Sequence, residues 1–148
     1  VSDPRSNITL GTPFSGKPLT FSFSYTYQPG ASNEDANGQP LAYGDQCDIY
    51  LFLENRDGAQ VKRVATAWFR SGANVANWTR ETVPIKYGPL SASDPWFGYA
   101  QPQQGEVWGD GTETVTHITV LATSSFEGDF FKGAIGSTLT LDNIELGY

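Results

Sequence analysis

The sequence predicts an all-β protein, an antiparallel β-sandwich of the jelly-roll type. Two observations predict it. Charged residues make up only 17% of the 148 residues while aromatic residues make up 14% and glycine occurs 16 times, a composition typical of sandwiches with many turns. Several segments also alternate between apolar and polar residues as half-buried strands do, and none of useful length has helical periodicity. We expect one domain, residues 1–148, excised from or C-terminal in a larger secreted protein or lipoprotein.

Six segments carry the strand pattern. The clearest is LTFSFSYTY, residues 19–27, in which every odd position is apolar. Residues 47–54 are apolar on both faces, because Tyr50 and Phe52 alternate with a second apolar set, and this indicates a central strand. The remaining four segments are residues 60–70, 78–87, 114–123 and 138–146.

The final segment predicts a β-bulge. Leu139 and Leu141 alternate, but Ile144 and Leu146 alternate on the opposite parity. A regular strand would place the two pairs on opposite faces, whereas one extra residue at positions 142–143 would turn all four toward one core.

The single cysteine, Cys47, excludes an intramolecular disulfide. It shares a predicted strand face with Ile49 and Leu51, and free cysteine is among the most buried residue types. We therefore expect Cys47 to be buried and unreactive.

The charge pattern excludes two classes of partner. The formal net charge is −7 without any basic cluster, which argues against nucleic acid and strongly anionic partners. The sequence also holds no apolar run long enough to span a bilayer, so we expect no direct membrane insertion by this chain.

Residues 88–113, GPLSASDPWFGYAQPQQGEVWGDGTE, form a connection too long for an ordinary turn. Connections of this length are usually functional or disordered, and disordered segments are poor in aromatic residues. We therefore expect an ordered loop whose aromatic rings could stack on sugar rings while its polar side chains bind hydroxyl groups. The alternative is that Trp96 and Trp108 fold back as a plug over the end of the sandwich. The candidate sugar-binding residues are Trp96, Phe97, Tyr99, Trp108, Asp94, Gln101 and Glu106.

Glycoside hydrolysis would need two carboxyl groups a fixed distance apart across the substrate. Glu106 with Glu113, or Glu127 with Asp129, could supply such a pair. Acidic residues are common on any acidic surface, and the sequence singles out neither pair, so no catalytic residue is assigned.

Asp142, at the expected bulge, has two alternative roles. Its carboxylate could accept the backbone N–H groups that a bulge leaves unpaired. It could instead bind a structural Ca²⁺, because a bulge also turns carbonyl oxygens outward beside the carboxylate.

The chain resembles the putative carbohydrate metabolism domain family of surface and secreted proteins of Bacteroidetes. The stretches that carry the resemblance are PFSGKP at 13–18, YTYQPG at 25–30, DQCDIY at 45–50 and SSFEGDFFKGAIGSTLTLDNIEL at 124–146. The resemblance implies a jelly roll similar to carbohydrate-binding modules, often placed C-terminally in a lipoprotein. It brings no catalytic residues with it. In other sugar-binding jelly rolls an aspartate in a similar last strand often binds Ca²⁺, which makes Asp142 the candidate ligand.

Together these observations predict a non-catalytic glycan-binding domain. We expect it at the cell surface, outside the cell or in the periplasm. The alternative is a structural or interaction module, such as a spacer or adhesin domain, and a glycoside hydrolase is the third hypothesis.

Overall fold

Two main β-sheets, antiparallel except for one short strand, pack face to face in the computed structural model, which describes residues 10–103 and 105–148. A separate two-stranded sheet pairs residues 33–34 with residues 133–134. The strands in chain order are β1 (Thr12–Pro13), β2 (Thr20–Gln28), β3 (Asn33–Glu34), β4 (Cys47–Asn55), β5 (Val61–Ser71), β6 (Val75–Pro84), β7 (Lys86–Tyr87), β8 (Glu106–Trp108), β9 (His117–Thr123), β10 (Gly133–Ala134) and β11 (Thr138–Gly147). The large sheet has the order β1-β9-β4-β5-β7, with β8 added in parallel to β5, and the small sheet has the order β11-β2-β6. The predicted all-β sandwich of the jelly-roll class is confirmed.

The core lies between β2 of the small sheet and β4 and β5 of the large sheet. Every second residue of β2 from Phe21 to Tyr27 is buried there. Phe69 of β5 meets Phe23 and Tyr25 edge-on, with ring centroids 5.5 and 5.2 Å apart. Leu19, expected on the same face, is instead 61% exposed, because the strand begins only at Thr20.

Strand β4 is central, as its two apolar faces predict. It pairs with β5 on one side and with β9 on the other. Cys47 is fully buried on its inner face, which confirms the expected burial. Burial raises the pKa of the thiol to about 11, so the inert thiol form predominates at neutral pH.

Residues 78–87, expected as one strand, belong to two. β6 ends at Pro84, which has no N–H to continue the ladder with β2. The chain then crosses to the large sheet, where β7 pairs with β5. Ile85 and Tyr87 still face the core, as the alternation predicts.

The predicted bulge is present in β11. Its register with β2 shifts between Asp142 and Glu145, and Asn143 adopts a left-handed backbone with φ of 52°. The bulge brings Leu146 to the core side occupied by Leu139 and Leu141. Ile144, expected beside them, is 49% exposed, because it lies inside the bulge itself.

A buried carboxylate joins three distant parts of the chain. Asp45 Oδ2 accepts hydrogen bonds from Ser125 Oγ (2.6 Å), Ala134 N (3.0 Å) and Ser137 Oγ (2.7 Å). Its other oxygen accepts the N–H of Gln46 at 2.9 Å. Sequence reasoning did not assign this role, because the donors lie 80 to 92 residues away.

We expect Asp45→Ala to lower the free energy of unfolding by about 3 kcal/mol or more, because several buried donors lose a charged acceptor at once. Urea unfolding followed by tryptophan fluorescence measures this. The control is Asp57→Ala, which removes an exposed carboxylate from the connection between β4 and β5. It should change stability by about 0.5 kcal/mol or less. Equal losses in the two variants would contradict the role given to Asp45.

Candidate functional site

The outer face of the large sheet carries an unusual set of side chains. On β4, Asp48, Tyr50, Phe52 and Glu54 all point away from the core, since they alternate with the inner-face residues. Their neighbours on β5 include Trp68, which lies directly opposite Tyr50. A second apolar cluster, separate from the main core, forms on this face.

The long loop, residues 88–113, covers the β5 half of this outer face. Leu90 and Ala100 are buried against Phe52 and Trp68. Its segment β8 pairs with β5. The ordered loop expected from its aromatic content is therefore present in its described residues, 88–103 and 105–113.

Arg63 fixes the long loop to the sheet. Its side chain is fully buried, and its guanidinium carbon lies 3.5 Å from the centroid of the Phe52 ring. Nη1 donates to the carbonyl of Ala100 at 3.1 Å, and Nη2 donates to the carboxylate of Glu106. Burial lowers the pKa of Arg63, whereas the Glu106 carboxylate acts in the opposite direction.

A groove remains open on the β4–β9 half of the face. Its main basin has a volume of about 560 Å³. The floor consists of strand residues, namely Asp48, Tyr50, Trp68, Arg70, Leu121 and Thr123. The loop wall consists of Tyr99, Gln101, Pro102 and Gln103, and the turn wall consists of residues 125–130.

Aromatic rings and one ion pair organise the main basin. Tyr50 stacks on Trp68 with centroids 4.1 Å apart and an interplanar angle of 18°. Arg70 donates from Nε and Nη2 to the two carboxylate oxygens of Asp48, each at 2.6 Å. The same guanidinium lies 4.0 Å from the ring of Tyr99 and 4.5 Å from that of Phe126, so it contacts both walls.

A smaller end basin of about 250 Å³ continues the groove. It shares Tyr50, Gln103 and Leu121 with the main basin. Glu54 and Glu106 line it and form a hydrogen-bonded carboxyl pair.

The two carboxyl groups of that pair have opposite pKa shifts. Burial, together with the hydrogen bond to Glu106, raises the pKa of Glu54 despite the nearby Arg56. Burial also acts to raise the pKa of Glu106, but Arg63 and the N–H of Gln103 outweigh it, so its net pKa is lowered.

Three of the seven candidate loop residues reach the groove. Tyr99 and Gln101 line the main basin, and Glu106 lines the end basin. Trp96 and Trp108 are half-buried, as in the plug alternative, but they pack against the outer face of the large sheet and not over the end of the sandwich.

The other two candidates, Asp94 and Phe97, lie outside both basins. Asp94 accepts hydrogen bonds from the backbone N–H and hydroxyl of Ser91, at 2.6 and 2.8 Å, and so closes a turn. These hydrogen bonds lower the pKa of Asp94, the one from the backbone N–H being the larger cause. The ring of Phe97 is 40% exposed.

Sequence reasoning missed most of the groove floor. Tyr50 was noted only as evidence for a central strand, and Arg70 and Phe126 were not singled out. The available signal was the apolar outer face of β4, which needed either a cover or a ligand. Asp48, two residues before Tyr50 on the same strand, places a carboxylate at one end of this apolar face.

The carboxylate pairs considered for hydrolysis occupy different settings. Glu113 accepts the N–H groups of Asp110 and Gly111, both at 3.1 Å, and therefore closes a turn. Glu127 and Asp129 both line the main basin, but both belong to the turn wall.

Within residues 10–103 and 105–148, no group of three or more His, Cys, Asp or Glu side chains is placed to hold a metal ion. Asp142 is exposed, and its Oδ1 accepts the N–H of Asn143. This arrangement supports the backbone-capping alternative. Calcium at Asp142 stays a prediction, and melting curves with and without a chelator would test it.

No helix in the described part of the chain is long and apolar enough to cross a membrane.

Comparisons with known proteins connect this fold to carbohydrates. The profile of a family described as "putative carbohydrate metabolism domain" matches residues 1–147. One similar crystal structure comes from Bacteroides thetaiotaomicron VPI-5482 and is described as a putative glycoside hydrolase. Its sequence is 26% identical and the TM-score is 0.69, and the match covers 99% of this chain and 42% of the Bacteroides chain. A second crystal structure, from Bacteroides vulgatus ATCC 8482, is described in the same words. It is 24% identical with a TM-score of 0.70, and the match covers 99% of this chain and 58% of that chain. This chain thus spans less than two thirds of either. No curated protein matches it significantly.

We expect Arg63→Met to lower the free energy of unfolding by about 3–5 kcal/mol, because Glu106 and the Ala100 carbonyl lose a buried partner. Urea unfolding gives the value. The double variant Arg63→Met/Glu106→Gln, in which the orphaned charge is also removed, should recover part of the loss. A single variant as stable as the wild type would contradict the anchoring role of Arg63.

We expect Glu54→Gln to remove one component of the pH dependence of stability. Because the folded-state pKa of Glu54 is raised, native Glu54 keeps a proton that the unfolded chain loses above about pH 4.3. Its contribution to stability is therefore lost as the pH rises through the raised pKa. Glutamine cannot lose that proton.

Urea unfolding of both proteins across this pH range tests the prediction. The stability of Glu54→Gln relative to the wild type should increase with pH above about 4.3 and then level off. A difference that does not change with pH would contradict it.

Proposed function

The chain belongs to the putative carbohydrate metabolism domain family, and on that premise we propose that its groove binds a glycan chain without cleaving it. The observation that carries the proposal is the aromatic lining of the main basin. Tyr50, Tyr99, Phe126 and Phe130 offer apolar ring faces beside charged hydrogen-bonding groups. Sugar rings require this combination, because their C–H faces are apolar and their edges carry hydroxyl groups.

The arrangement of the carboxyl groups favours binding over hydrolysis. Glycosidases place one carboxyl group on each side of the scissile bond, about 5 Å or more apart. Here Glu127 and Asp129 lie on one wall, and among the described residues the loop wall of the main basin offers no carboxylate to face them. In the end basin Glu54 is bound by Arg56 and Glu106 by Arg63, so both carboxyl groups already have cationic partners.

Glycoside hydrolysis is the second candidate, because a similar structure, 26% identical, is described as a putative glycoside hydrolase. Glu127 and Asp129 are the carboxyl groups that could serve it, since both face the main basin. Release of reducing sugar from any polysaccharide that the protein binds would favour this candidate over simple binding.

We further propose that the domain works outside the cytoplasm, at the cell surface, in the periplasm or in secreted form, where polymeric glycans are met. The support is the proposed polymeric ligand, together with a composition that is acidic and low in charged residues.

We expect Tyr99→Ala and Phe130→Ala each to weaken glycan binding about tenfold, because losing an aromatic stacking face costs about 1–2 kcal/mol. A glycan array identifies the ligand, and titration calorimetry gives the dissociation constants. Both side chains are partly exposed, at 38% and 65%, so folding should be preserved.

The matched control is Trp78→Ala. Trp78 is a 54% exposed aromatic residue on β6 of the small sheet, outside both basins. The Trp78→Ala variant should bind the glycan with the same dissociation constant as the wild type. Failure of the wild type to bind any glycan would reject the proposal and leave a structural or interaction module as the alternative.

A further inference from the structure

We infer that the ligand is an uncharged glycan chain that lies along the β4–β9 strand pair and occupies both basins of the groove. The inference rests on the proposed glycan binding and specifies its substrate class. It depends on two independent properties of the groove, its length and the pairing of its charges.

The length comes from the continuity of the two basins. They share Tyr50, Gln103 and Leu121, so they form one trough with a common centre. The trough extends on β4 from Asp48 to Glu54, and the six steps between these residues span about 20 Å at ~3.3 Å per residue. A monosaccharide would fill only part of this space, whereas a chain of several rings would fill it.

The charges of the groove are already paired. The two basins are lined by five carboxyl groups and two guanidinium groups. Both oxygens of Asp48 are bound by Arg70. Arg56 donates to Glu54 from Nε at 3.0 Å and from Nη2 at 2.5 Å.

This pairing disfavours anionic sugars. A uronate or a sulfate ester would have to displace a carboxylate from one of these guanidinium groups and then face the remaining carboxylates. Hydroxyl groups carry no such penalty, because they donate directly to carboxylate oxygens in charge-assisted hydrogen bonds. The formal charge of −7 on the whole chain adds repulsion at long range.

Matched polymers that share a backbone and differ in charge provide the test. Native affinity electrophoresis would compare hydroxyethylcellulose with carboxymethylcellulose, and dextran with dextran sulfate. It would add any polymer identified on the glycan array together with its carboxylated derivative. At low ionic strength we expect retention by at least one neutral polymer, and at least tenfold weaker retention by its charged counterpart.

A charge variant sharpens the comparison. Asp48→Asn keeps the size of the side chain but leaves Arg70 without its carboxylate, so binding of the charged polymer should strengthen several-fold. Asp129→Asn, on the exposed turn wall, should do the same to a smaller extent without disturbing the floor. The control is Asp35→Asn, which makes the same charge change at an exposed turn outside both basins.

Chain length is tested with oligosaccharides of the neutral polymer, from disaccharide to hexasaccharide. Affinity should rise at least tenfold along the series and then level off when the groove is filled. Affinity that is already maximal for the disaccharide would overturn the extended site.

The outcomes separate this inference from the proposal beneath it. Retention by a charged polymer and not by its neutral counterpart would overturn the inference while leaving glycan binding intact. Absence of binding to every polymer would reject glycan binding itself, and the inference with it.

Discussion

The buried guanidinium of Arg63 is the constraint on which the outer face of the large sheet depends. A cation removed from water costs several kcal/mol unless its partners are well placed. In this structure its carbonyl and carboxylate partners, Ala100 and Glu106, come from the long loop. The loop therefore cannot leave the sheet without leaving a charge unpaired inside the protein. The composition of the loop is typical of a surface connection, yet its detachment would cost as much free energy as the loss of a core contact.

The groove is a consequence of this attachment. With the loop held over β5, the β4–β9 half of the same face stays uncovered, and the edge of the loop becomes one wall. Arg70, paired with Asp48, then connects the floor to both walls, because its guanidinium contacts an aromatic ring on each of them. One ion pair thus determines where the covering layer ends, and the other organises what remains open.

The sequence predicts the sandwich well and the groove poorly, for different physical reasons. The alternation of apolar and polar residues indicates which side chains are buried, so β2, β4 and the bulge in β11 can be predicted from the local sequence. The alternation does not indicate which segment covers an apolar face that points away from the core. That depends on the contact between Arg63 and Glu106, which lie 43 residues apart. Loop residues also have local partners that composition does not reveal: Asp94 closes a turn with Ser91, although its residue type suits a sugar. Tyr99, a candidate from the aromatic content of the loop, lines the main basin, because an aromatic side chain in an ordered loop must cover something or bind something.

The carboxyl groups on the floor of the main basin and in the end basin are held by arginine side chains. Both oxygens of Asp48 accept hydrogen bonds from Arg70, and Arg56 donates to Glu54 from Nε and Nη2. Although burial acts to raise the pKa of Glu106, Arg63 and the N–H of Gln103 lower it. The strands and the anchored loop therefore present fixed acceptors beside aromatic faces, an arrangement that lowers the ordering cost of binding a ligand.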